Sequence, residues 1–140
     1  MDRRRKKDRG EESARMIEND SILNSIKKLC NIGYDDTHFD RDLLFHINAA
    51  LGVLAQIGVV AKEGMIIGDQ KSKWTDLTED KVVLGLAVEY IQLKCVIIFD
   101  PPSVSAVLDA YKERIKELEW RLQEQAEENA VNEGVVSGGE

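Results

Sequence analysis

The sequence predicts a mainly α protein: a small four-helix bundle-like domain with a short β-hairpin or loop between helices 2 and 3, a long C-terminal helix and disordered tails. Three observations carry this expectation. Apolar residues recur at helical spacing in four separate segments. The only two prolines stand side by side, Pro101 and Pro102, so no other segment is broken by one. Hydrophobic content of 43% beside 32% charged residues is ordinary for a globular chain, and 140 residues suffice for one core. The expected organisation is a basic N-terminal extension over 1–19, a helical domain over 20–126 and an acidic, glycine-containing tail over 127–140.

The first helix is expected from Ser21 to Asn31, where Ile22, Ile26, Leu29 and Cys30 make one face; Asp20 or Ser21 caps it and Gly33 suits its exit. The second runs from about Asp40 to Ile57, with Leu43, Ile47, Ala50, Leu51, Leu54 and Ile57 as its stripe and Gly58 closing it. His46 sits on the stripe's edge. Between Val59 and Leu77 the helical period is lost. Met65 to Ile67 is a short β-like run, Gly68-Asp69 is a turn, and Trp74 either anchors the returning loop in the core or contacts a partner.

The third helix, about Thr78 to Phe99, is apolar nearly all round, which places it in the middle of its neighbours. Its length approaches a membrane span, but Glu89, Gln92 and Lys94 near its middle argue for a core helix and no membrane. Asp100 before Pro101, and Pro101 before Pro102, stop it sterically. The fourth helix carries Val104, Leu108, Tyr111, Ile115, Leu118 and Leu122 at heptad spacing. Trp120 lies about 200° from both Leu118 and Leu122 on such a helix, so a seam facing the core leaves it outside, free to anchor in a partner pocket or to stand as an isolated surface aromatic.

Charge is unevenly distributed. The chain carries −7 overall, yet residues 1–9 (MDRRRKKDR) hold six basic and two acidic side chains, so the remainder is −11. An acidic body is a poor general binder of nucleic acid. Gly10, Glu11 and Glu12 are codable by a purine-rich, ribosome-binding-like stretch, which makes Met16 a candidate start and residues 1–15 a reading-frame extension. The alternative is a basic arm that touches nucleic acid, as in a small DNA-binding packaging or regulatory protein. The basic start is followed by polar residues, so no secretory leader is expected.

Little in the chain points to chemistry. Cys30 and Cys95 lack metal-ligand spacing and read as buried free thiols of a reducing compartment. The glycines do not form a phosphate loop, and His38 and His46 lack partners for a metal or nucleophilic site. Asp35, Asp36, Asp40 and Asp42 flank a helix N-terminus, where the macrodipole favours carboxylates. No catalytic residue, metal or cofactor is expected.

The series ILNSIKKL, FDRDLLFHINAALGVLAQIGV, KWTDL and YIQLKCVIIFDPPSVSAVLDAYKERIKELEWRL resembles the head–tail connector proteins, also called head-completion or adaptor proteins, of tailed phages infecting Gram-positive bacteria. The resemblance covers about residues 21–126 and is most specific where FDPP is followed by a helix ending in KELEWRL. It implies a structural subunit, made in the bacterial host cytoplasm, that forms a homo-oligomeric ring of about twelve copies in the virion neck. Such a ring docks beneath the portal protein, extends the DNA channel and presents a platform to the stopper or tail-completion protein. DNA passes through without sequence-specific binding. By the same resemblance the C-terminal helix and tail reach the portal, which implicates Trp120, Arg121, Leu122, Gln125 and Val131. The loop with Met65, Ile66, Ile67 and Trp74 is a candidate for subunit or next-ring contacts.

Overall fold

The computed structural model describes residues 21–60 and 64–137, with side chains as far as Asn132. The expected extension over 1–19, Met16 within it, and residues 138–140 lie outside the described residues. Four helices follow in order: α1 (Ile22–Leu29), α2 (Asp40–Ile57), α3 (Lys81–Phe99) and α4 (Ser105–Ser137), with a 3₁₀ turn at Trp74–Asp76 before α3. Among the described residues there is no strand, only an isolated antiparallel bridge between Ser21 and Lys73. Of the two expectations for the 59–77 segment, the loop is what forms.

Each helix begins and ends for a local reason. The Ser21 hydroxyl accepts from the Asn24 amide at 3.2 Å, and so caps α1. The exit of α1 is made by Asn31 at φ 60°, not by Gly33; asparagine tolerates the left-handed region better than other β-substituted residues, so no glycine is needed there. Gly58, at φ 99°, closes α2. Asp80 caps α3 by accepting from the amides of Val82 at 3.0 Å and Val83 at 3.2 Å. At its other end α3 stops on Asp100, at φ −151° and ψ 61°, immediately before the two prolines.

The chain reversal at Pro101-Pro102 lays α4 antiparallel on α3. Arg114 meets Glu89 and Glu119 meets Tyr90 near the middle of α3, and Asn129 reaches Asp80 at its start. α1 runs alongside α3, since Asn31 Nδ2 donates to Asp100 at 3.1 Å where both helices end. The core contains Ile22, Ile26, Leu43, Ile47, Leu51, Leu54, Ile91, Cys95, Leu118 and Leu122, all without exposed surface. Every buried position on α2 belongs to the stripe expected from the sequence. Ile57, its last member, is half-buried.

Two expectations for α4 need correction. Val104 is not part of the packed seam: it precedes the helix, is 58% exposed, and uses its carbonyl to accept the amides of Val107 and Leu108. The helix also continues well past residue 126, the expected end of the helical domain. Ala126, Glu127, Glu128 and Ala130 are favourable helix residues, and the extra turns gain tertiary support. Ala126 faces Gly58, where a Cβ on the glycine would stand 3.8 Å from the alanine methyl carbon, and Asn129 donates to Asp80 at 3.4 Å.

One buried charge ties the connection between α1 and α2 to the core. The Lys27 side chain is almost fully enclosed, its Nζ 2.8 Å from Asp40 Oδ1 and 3.2 Å from the Tyr34 carbonyl oxygen. Asp40 stands in the first turn of α2, so the pair joins two helices and the loop between them. Removing one partner of an enclosed pair leaves the other uncompensated. Asp40→Ala is therefore expected to cost roughly 2–4 kcal/mol in urea denaturation. Lys27→Met should cost less, because the Asp40 it leaves behind is partly exposed and can hydrate; equal losses would contradict this reading.

Candidate functional site

The seam of α4 divides the helix into an inner and an outer face. Leu118 and Leu122 have no exposed surface, while Leu108, Tyr111 and Ile115 are half-buried. The gradient follows from what lies underneath: the first half of α4 rests on the C-terminal half of α3, whereas its middle reaches toward α2 as well. The inner face is fixed by polar contacts at its margins. Tyr90 donates its hydroxyl to Glu119 at 2.9 Å, and burial, followed by the Glu119 contact, pushes that phenol well above its usual range. Arg114 binds both oxygens of Glu89, at 2.8 and 3.3 Å, and also donates to Glu117 at 2.9 Å. Arg121 completes the chain by donating to Glu117 at 2.9 Å. Hydrogen bonds from Arg121 and Arg114 hold the Glu117 carboxyl below its ordinary range.

Trp120 stands outside this arrangement. It is 60% exposed, on the side of the helix opposite Leu118 and Leu122. Val131, eleven residues further on, comes round to within about 20° of it and is also exposed. Of the other residues implicated by resemblance, Arg121 is half-exposed but engaged with Glu117. Gln125 is half-buried and donates to Asn129 at 3.2 Å. Leu122 is enclosed in the core. Trp120 and Val131 therefore share the outer side of α4, about 16 Å apart along the helix, while Leu122 and Gln125 lie behind them.

The loop residues divide in the same way. Ile67 is buried because both of its backbone groups are claimed by one side chain: its amide donates to Asn48 Oδ1 at 2.7 Å, and Asn48 Nδ2 donates to its carbonyl at 3.0 Å. Trp74 is 1% exposed, and its indole N–H donates to the Ser25 hydroxyl at 2.8 Å. Met65 is half-buried. Ile66, pushed outward between two inward neighbours, is 87% exposed and is the residue of this loop best placed to meet another molecule.

Features that the sequence reading missed lie along α3. This 19-residue helix is long and apolar enough to cross a membrane, with a mean hydropathy of 2.0 over its most apolar 18 residues, and it packs among α1, α2 and α4. Its neighbours nevertheless leave Val82 and Ile98 exposed. Two clefts flank the first half of α4. One, of about 670 Å³, has Ile97, Ile98 and Ile115 in its wall beneath Lys94 and Lys112. The other, of about 560 Å³, lies between Leu29, Leu93, Val96, Pro102 and Tyr111. A helix that is apolar on all sides carries no periodic signal for the side left uncovered, so these clefts could not be located from spacing.

Both cysteines are buried free thiols. Burial, together with Asp100, pushes the Cys30 thiol up to about 11, and burial with nearby Cys30 pushes Cys95 up to about 12. Among the described residues no cluster of His, Cys, Asp and Glu could hold a metal ion. His46 packs edge-on against Phe99, with ring centres 5.5 Å apart, as a core-edge histidine does. Both thiols should therefore resist alkylation in the folded protein at pH 8 and react on denaturation, as mass spectrometry can follow. The unfolded thiols ionise near their ordinary 9.0 and the folded ones only near about 11 and 12. Their contribution to stability is thus complete below pH 9 and falls as pH rises toward 12. The double variant Cys30→Ala/Cys95→Ala should flatten that part of the pH–stability curve.

The domain exposes several large apolar side chains, Phe45, Ile66, Trp120 and Val131 among them. The chain belongs to the phage connector protein family, whose model matches residues 22–129. It is accordingly a structural component of the virion at the head–tail junction. No curated protein and no solved structure matches the chain.

Proposed function

We propose that the protein is the adaptor subunit of a phage neck, assembling as a ring of about twelve copies beneath the portal. In this reading the ring extends the DNA channel and offers its other side to the stopper or tail-completion protein, in a phage of a Gram-positive host. The observation that carries the portal contact is the exposure of Trp120 on the outer face of α4, with Val131 on the same side. An indole on a rigid helix presents large apolar area with few rotatable bonds, the usual character of an interface anchor. Leu122 and Gln125 then hold the helix in place while Trp120 and Val131 make the contact, and Arg121 orients through Glu117.

Ile66 at the tip of the loop is the proposed contact to a neighbouring copy or to the next ring, with Ile67 and Trp74 as the buried anchors that hold the tip in position. The acidic balance of the body, −11 over residues 10–140, suits a channel component, since a wall of like charge lets DNA phosphates pass without adhering. Nothing in this role calls for a catalytic group or a cofactor.

The reading is tested with purified portal. Light scattering or electron microscopy of the mixture should show many copies of the protein joined to it, and a protein that stays apart from the portal would overturn the proposal. Trp120→Ala should weaken attachment by about tenfold or more, with circular dichroism unchanged. Ile66→Ser should leave the isolated domain intact and reduce the number of copies per particle.

A further inference from the structure

The outer face of α4 changes character along its length. As far as Arg121 the carboxylates of Glu113 and Glu117 are paired with Lys116, Arg114 and Arg121. From Leu122 to the last residue the chain contains five glutamates and no lysine or arginine. Trp120, Glu124, Glu127, Glu128 and Val131 fall within about 100° of one another on the helix, on the side turned away from Leu118 and Leu122. All five are exposed. This face has apolar anchors and a negative field, and no described helix covers it.

The complementary charge is carried by the same chain. Residues 1–9 hold six basic and two acidic side chains. The place where that segment joins the domain is also fixed. Ser21 bridges Lys73, the Ile22 amide donates to the Ser72 carbonyl at 2.9 Å, and the loop leads within a few residues to Asp80. Asp80 is the residue that Asn129 of α4 reaches. The N-terminal segment thus enters the bundle at the end where the acidic half of α4 leaves it. The residues between Arg9 and Ser21 can span up to about 40 Å, and Trp120 lies only about 14 Å along the helix from Asn129.

We propose that residues 1–9 dock along the acidic outer face of α4 of their own chain, with guanidinium groups stacked on Trp120 and the remaining cations among Glu124, Glu127 and Glu128. Arginine over an indole face is a favourable pairing, and the tether holds the segment at an effective concentration of the order of mM. The contact is electrostatic and exposed, so salt weakens it. It does not depend on the adaptor role. If both hold, the segment covers the residue that the portal would seat, and the two compete for one face.

The test compares the 1–140 chain with the chain begun at Met16, by acrylamide quenching of tryptophan fluorescence at low salt. Trp74 is enclosed, so the quenched signal comes from Trp120. Protection of Trp120 in the full chain is expected, with loss of protection in the shorter chain, in about 0.5 M salt, and in Glu124→Gln/Glu127→Gln/Glu128→Gln. Circular dichroism checks that the triple variant keeps its helix. Carbodiimide coupling should join Lys6 or Lys7 to these same glutamates. Equal quenching of the two chains, or coupling confined to other carboxylates, would overturn the proposal. So would protection that grows with protein concentration, which would make a second copy the occupant, or protection that requires added duplex DNA, which would make the segment a nucleic-acid arm.

Discussion

The fold depends on a helix that cannot face water on most of its sides and on a covalent stop that lets the chain return over it. α3 brings Val83, Leu84, Ala87, Val88, Tyr90, Ile91 and Cys95 into the core, more than one amphipathic neighbour can cover. Asp100, Pro101 and Pro102 prevent its continuation. The reversal places the α4 seam directly on α3, where Leu118 and Leu122 lose all contact with solvent. Without that turn the α4 seam could not fold back onto α3. With it they form a hairpin whose outer surface is charged and whose inner surface is closed.

The elements around the hairpin pack through apolar faces, with Ile22, Ile26, Leu43, Ile47, Leu51 and Leu54 fully buried, and single long-range polar contacts fix their connections. Lys27 and Asp40 bind the first loop, Asn48 holds Ile67, and Ser25 receives the Trp74 indole. These partners are far apart in sequence, which makes each contact specific to one register of the loop. The arrangement leaves Ile66 outward at the loop and Trp120 outward on α4, two of several exposed apolar side chains that also include Phe45, Val82 and Val131.

The core was legible in the sequence wherever a residue's fate is decided by its own helix. The α2 stripe, the central position of α3 and the exposure of Trp120 all follow from angular spacing. Residues whose fate is decided by distant partners were not legible. Met65, Ile66 and Ile67 are alike as letters, and only Asn48, nineteen residues away, determines that Ile67 turns inward. Lys27 looks like any surface lysine until Asp40 and the Tyr34 carbonyl are placed beside it. Val104 matched the heptad but fell before the first helical turn. The helical extent beyond residue 126 depends on Gly58 and Asp80, neither of which is visible from the composition of that stretch. The outer face of α4 was legible because it is defined by what the seam excludes, whereas the clefts beside α4 were hidden by the uniform hydrophobicity of α3.

The overhang of α4 has a mechanical meaning. Beyond Asn129 the helix runs eight residues further, to Ser137, a length of about 12 Å. Among the described side chains its last polar support is the Asp80 carboxylate, which also caps the first amides of α3. A load applied at the tip is therefore delivered as a torque to the first turn of the central helix, so the bundle is braced at the point where its longest element leaves it.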